Sequence, residues 1–130
     1  MNFATLRTKA DFDRVFAGQE RFFRDGLSFR LRIAGEGLFH LGIMAPKRFG
    51  GAVERNRFRR RVRELIRTTE TLPGGVELVI SAQKPYQDLR FDLLRRTVGW
   101  ALSRAQHLLR KDRGGSREPA VRGEPRRPVT

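Results

Sequence analysis

One segment limits this chain more than any other. From Arg55 to Arg67 there are seven arginines and one acid, Glu64. At about 100° per residue, Phe58, Val62, Leu65 and Ile66 fall within one core-facing arc, so the segment is an amphipathic helix, expected over Glu54 to about Thr69. Arg59, Arg60, Arg61, Arg63 and Arg67, with Asn56 and Arg57, cover most of the rest. Solvated helix faces gain a few tenths of a kcal/mol from each acid–base pair four residues apart. Here arginine follows arginine along 55, 59, 63 and 67, which is repulsive. Any fold for this chain must bury one side of the helix and leave the other side to a polyanion. Arginine's planar fork suits phosphate oxygens better than lysine's ammonium. Genomic base composition is a second source of that preference, under which 24 of the 28 basic residues are arginine.

The rest of the composition narrows the class. A chain of 130 residues is one domain's worth, with a formal charge of +14. With no cysteine there is no disulfide framework, thiolate metal site or cysteine nucleophile, and His40 and His107 cannot build a metal cluster by themselves. No apolar run approaches a membrane span, and Arg7, Lys9 and Asp11 interrupt the N-terminus too early for a signal peptide. The expectation is a cytoplasmic, polyanion-binding domain over residues 1–110. Residues 111–130 have three glycines, three prolines and no aromatic residue, and are expected to form a disordered basic tail. The tail holds six bases and three acids, leaving +11 on the domain.

Thr8-x-x-Asp11 reads as a capping box opening a short helix with Phe12, Val15 and Phe16 on one stripe and Gly18 as its stop. Leu27–Ile33 alternates with period two. Leu38–Ala45 follows across Ala-Gly-Glu-Gly, so the two are expected to pair as an antiparallel hairpin, with a short extra strand over 20–24 ahead of them. Pro46–Val53 is a basic, glycine-containing loop whose Gly50 and Gly51 amides adjoin a helix N-terminus, as either a phosphate cradle or a flexible connection. Val76–Ala82 is a largely buried strand, and a last helix, capped by Asp88, reaches Arg110. The order helix, two or three strands, helix, strand, helix is an α+β two-layer sandwich.

No catalytic constellation emerges. Carboxylates occur singly, and Asp11 and Asp13 point apart on a helix. His107 is expected to face solvent, and His40 shares a strand face with Gly42 and Met44. The chain reads as a binder.

Lys47-Arg48-Phe49-Gly50-Gly51-Ala52-Val53-Glu54-Arg55-Asn56-Arg57-Phe58-Arg59-Arg60, continuing through Arg63-Glu64, resembles the signature of the bacterial ribonuclease P protein component. The likeness extends from residue 6 to about 109 and takes in Asp11-Phe12, Val15-Phe16, Gly42-Ile43 and Leu78-Val79-Ile80. It implies a helix, three strands, the Arg-Asn-Arg helix, a fourth strand and a last helix, with a left-handed βαβ crossover as in the second domain of a small-subunit ribosomal protein. It also implies a function. The family assists a catalytic RNA that removes the 5′ leader from precursor transfer RNA, as the accessory subunit of an endoribonuclease whose catalytic groups and Mg2+ belong to the RNA. The implied partners are ribonuclease P RNA and precursor transfer RNA, with no membrane and no obligate protein partner. The likeness places Lys47, Arg48, Arg55, Asn56, Arg57, Arg59, Arg60, Arg63 and Arg67 against RNA, and Phe12, Phe16, Arg30 and Met44 in a cleft for the single-stranded leader. Read from the residues alone, Phe12 and Phe16 suit ordinary core packing better than a binding cleft. Charge and fold alone would also suit a ribosomal protein or general RNA chaperone.

Overall fold

A computed structural model describes residues 2–18 and 20–115. A five-stranded sheet carries one helix on one face and two on the other. The elements in chain order are β1 (Phe3–Thr5), α1 (Lys9–Phe16), β2 (Glu20–Arg24), β3 (Leu27–Ile33), β4 (Phe39–Met44), α2 (Ala52–Arg67), β5 (Val76–Ala82) and α3 (Phe91–Gly115). Single 3-10 turns precede α2 at Lys47–Phe49 and α3 at Tyr86–Asp88. The α+β sandwich expected from the sequence is present.

Strand pairing differs from expectation. The sheet order is β1-β4-β5-β3-β2, so β3 and β4 are not a hairpin: β5 lies between them, antiparallel to β3 and parallel to β4. The reason lies in β5 itself. Val-Glu-Leu-Val-Ile-Ser-Ala is covered on both faces, and only a central position satisfies both. The β4–α2–β5 unit is the parallel crossover for which the resemblance implies a left hand. The hairpin is β2 with β3, joined at Asp25-Gly26, whose φ values of 51° and 81° fit the two-residue type I′ turn. β1 adds a three-residue parallel edge to β4, which was not expected.

Two apolar clusters follow from the alternation. Leu27, Phe29 and Leu31 of β3, with Leu78 and Ile80 of β5 and Leu41 of β4, face α2 and α3. Phe58, Val62 and Ile66 of α2, and Leu94, Val98, Ala101 and Ala105 of α3, close that core. Phe49 meets Phe58 at a ring separation of 5.0 Å, and Trp100 meets Phe22 edge-on at 5.3 Å. On the opposite face Leu6 and Val15 cover Val79, flanked by Phe12 and Phe16.

Element ends also correct the sequence reading. α2 begins at Ala52 rather than Glu54, because Glu54 reaches back to accept from the Gly51 amide at 2.9 Å. Asp88 lies in the 3-10 turn and does not cap α3, which starts at Phe91. α3 runs to Gly115, so the first five residues of the expected tail are helical; 116–130 lie outside the described residues.

Candidate nucleic-acid interface

The sequence-predicted residues fall into two groups joined by one loop. β4 ends at Met44, and the chain passes through Pro46, Lys47 and Arg48 into α2. Lys47, Arg48, Asn56, Arg57, Arg60, Arg63 and Arg67 are exposed, while Arg55 and Arg59 are half-buried at the edge of the stripe. Not every base on this helix is available alike. The guanidinium of Arg61 sits 4.1 Å from the ring centre of Phe91, turning that flank toward α3. The Arg55, Arg59 and Arg63 flank therefore lies on the side away from α3. Arg67 donates through Nε and Nη2 to the carboxylate of Glu64, which partly neutralises it. Arg59 Nη1 lies 3.5 Å from Asn56 Oδ1, fixing two polar side chains side by side.

The glycine amides do not form a phosphate cradle. Gly50 N donates to Lys47 O at 3.2 Å and Gly51 N to Glu54 Oε1 at 2.9 Å. The Glu54 carboxylate already occupies the helix N-terminus where an anion would sit. The surface offers guanidinium groups rather than a backbone nest.

The second group lies on the opposite sheet face, under α1. The Thr8 side chain accepts from Asp11 N at 3.1 Å, and Asp11 Oδ2 accepts from the amides of Arg7 and Thr8 at 3.0 and 3.1 Å. Those amide donors, with Arg14 beside them, hold the Asp11 carboxyl well below the usual carboxylate range. The cap fixes where α1 starts, and Phe12 then lands on Gly42. A Cβ at residue 42 would lie 2.9 Å from the Phe12 ring, so only glycine lets the ring lie this close to β4. Phe16 lies 6.3 Å from Phe12 between ring centres and is half-buried, as Phe12 is. Both rings pack against the small Leu6, Val15 and Val79 cluster and remain partly exposed.

Arg30 ties this helix down. Its Nη1 donates to Phe16 O at 3.1 Å, and its guanidinium lies 5.1 Å from the Phe16 ring centre. A second tie runs through Glu77, a buried carboxylate on β5 that accepts from Arg32 Nη1 at 2.9 Å and from Arg14 Nη2 at 3.5 Å. Sequence reasoning missed Glu77 and Arg14; the signal was a lone acid within an apolar strand, which needs a cationic partner when buried. Met44 is 37 % exposed at the end of β4, on the same sheet face as Gly42. His40 shares the face and approaches Leu38 O through Nδ1 at 3.1 Å. His107 is exposed.

Among the described residues no group of three or more histidines and acids could hold a metal ion. The acids at the site are committed to a cap, a helix start or arginines. No helix among the described residues is long and apolar enough to cross a membrane.

Residues 1–106 match the sequence model of the family described as Ribonuclease P. The chain belongs to the ribonuclease P protein family. It is 34 % identical over 113 residues to the ribonuclease P protein component of Roseiflexus sp. (strain RS-1), covering 85 % of this chain and 93 % of that one. It is 29 % identical over 107 residues to the component from Bacillus velezensis, covering 82 % and 86 %. Among solved structures, the ribonuclease P protein from Thermotoga maritima superposes with a TM-score of 0.69 at 27 % identity, covering 77 % of this chain and 96 % of that one. The Staphylococcus aureus protein shares the fold, with a TM-score of 0.68 at 21 % identity over 78 % and 94 %. A ribonuclease P protein is therefore what the Arg-Asn-Arg helix and the α1 cleft belong to in this chain.

Proposed function

We propose that this chain is the RNA-binding subunit of ribonuclease P and acts by holding precursor transfer RNA on the catalytic RNA. One observation carries this reading. In a chain of this family, an arginine face on α2 and a half-buried aromatic cleft under α1 join through the single basic loop at 46–51. The α2 face with Lys47 and Arg48 takes phosphate oxygens of folded RNA. The cleft of Phe12, Phe16, Arg30 and Met44 takes the unpaired 5′ leader, because bases stack on aromatic faces without sequence preference for about 1–3 kcal/mol each. Arg30 acts here mainly as a positioning residue, since its guanidinium is engaged by Phe16. Mg2+ is assigned to the RNA and its substrate, and no step of the reaction is assigned to a side chain. The working location is the cytoplasm, with precursor transfer RNA and ribonuclease P RNA as partners.

The test is single-turnover cleavage of a leader-bearing precursor by a bacterial ribonuclease P RNA at low millimolar Mg2+, with and without the protein. Faster cutting at the mature 5′ end, and none by protein alone, is the expected result. Tight RNA binding without any stimulation would instead point to a general RNA chaperone.

A further inference from the structure

The sheet face beneath α1 is covered at one end only. Strand register places Arg21, Arg30, Val79 and Gly42 in one row across β2, β3, β5 and β4, and this is the row on which α1 sits. The next row, toward the end where β4 leaves for α2, is Phe23, Ser28, Ser81 and Met44. Phe23 is 61 % exposed there, although its neighbour Phe22 is buried against Phe29 and Trp100. A lone exposed phenylalanine is common on soluble domains, and what distinguishes Phe23 is the set of groups around it.

The surroundings of Phe23 state what that partner is. The Arg21 guanidinium lies over the Phe23 ring, 5.5 Å from its centre, so a cation stacks on one side of a largely exposed aromatic ring. Gln83 Nε2 donates to Ser28 Oγ at 3.3 Å and Ser81 Oγ at 3.2 Å, so the floor between Phe23 and Met44 is the exposed Gln83 amide and the half-buried Ser81 over a buried Ser28. Lys84 packs beside Gly26 at this end of the sheet, and Lys47 and Arg48 follow Met44. Asp25 of the adjoining turn is directed elsewhere, accepting from Thr97 Oγ1 of α3 at 2.9 Å. An aromatic face, a polar floor and a cationic rim match a single strand of RNA: bases to stack, sugars to hydrogen-bond and phosphates to neutralise. With strands about 4.8 Å apart, the row spans about 14 Å, room for a few nucleotides.

We infer that the leader cleft continues past α1 to the sheet edge, where Phe23 is an outer base-stacking position for single-stranded RNA and Arg21 its phosphate partner. This rests on the leader-binding reading above and extends it: longer leaders gain a contact that short ones cannot reach.

The test is binding of fluorescently labelled single-stranded RNAs, from about three to about ten nucleotides, to the full chain. Phe23→Ala is expected to weaken the longer strands by about 5-fold or more and leave the shortest unchanged, with Phe23→Trp retaining wild-type affinity. Phe12→Ala should weaken short and long strands alike, and thermal melting of each variant checks that it folds. If Phe23→Ala matches the wild type at every length while Phe12→Ala is weakened, the cleft ends at α1 and the extension is overturned. If Phe12→Ala binds every length normally, the cleft reading itself fails, whatever Phe23→Ala does. A concentration-dependent dimer that Phe23→Ala abolishes would assign the patch to a second copy of the chain instead.

Discussion

Gly42 is the position at which one missing methyl group decides the shape of the cleft. A Cβ there would meet Phe12 at 2.9 Å and Leu6 Cδ1 at 3.0 Å. Gly42→Ala is therefore expected to displace the Phe12 ring, costing about 1 kcal/mol of stability in denaturant melts and weakening leader binding more than overall RNA binding. Unchanged affinity for single-stranded RNA would show that the ring's position does not matter. Asp11 is a second decisive residue, because its carboxylate accepts both amides that open α1. Its folded-state proton affinity is depressed, so its stabilisation is fully present above the unfolded value near 4 and is lost as pH falls below it. Melting temperature should fall between about pH 4 and pH 2, and Asp11→Asn should flatten part of that fall. A wild-type and variant pair with parallel pH profiles would contradict the cap's role. The Thr8 and Asp11 cap was legible in the sequence because capping is local.

At the scale of the element, α2 divides its arginines between two tasks. Arg60 and Arg63 are exposed, whereas Arg61 lies over Phe91. Arg60→Ala and Arg63→Ala should leave the melting temperature within error and lower the salt dependence of RNA binding by about 0.7–0.9 in log–log slope per lost phosphate contact. Arg61→Ala should instead cost about 0.5–1 kcal/mol of stability and leave the slope near that of the wild type. If all three variants behave alike, the division is wrong. The sequence showed that this helix has an apolar stripe and a basic remainder, since a 3.6-residue period needs no partner to be read. It could not separate Arg61 from Arg60, because the ring that claims Arg61 comes from 30 residues further along the chain. The β2–β3 turn was legible too: Asp25-Gly26 is strong hairpin chemistry, although the Ala-Gly-Glu-Gly run at 34–37 carries turn chemistry as well.

For the whole molecule the dominant quantity is charge. The chain carries +14, and among the described residues Asp11, Asp13, Asp25, Glu64, Glu77 and Asp92 each pair with a base, so the uncompensated charge repels itself across α2 and the sheet rim. Sulfate or phosphate should raise the melting temperature in the tens-of-millimolar range by occupying the arginine face of the folded state. Chloride at matched ionic strength should do less, and equal effects would reduce the interaction to general screening. The sequence by itself determined what is local or periodic: the Thr8 cap, the α2 stripe, the alternation of β3, the excess charge and the Arg-Asn-Arg signature. Only the tertiary structure decided which strands are neighbours, because period-two alternation fixes a strand's two faces but not its partner, and β5 goes between β3 and β4 to bury both its faces. That insertion also aligns Phe23, Ser28, Ser81 and Met44, four residues from four strands whose common row depends on register and appears nowhere along the chain.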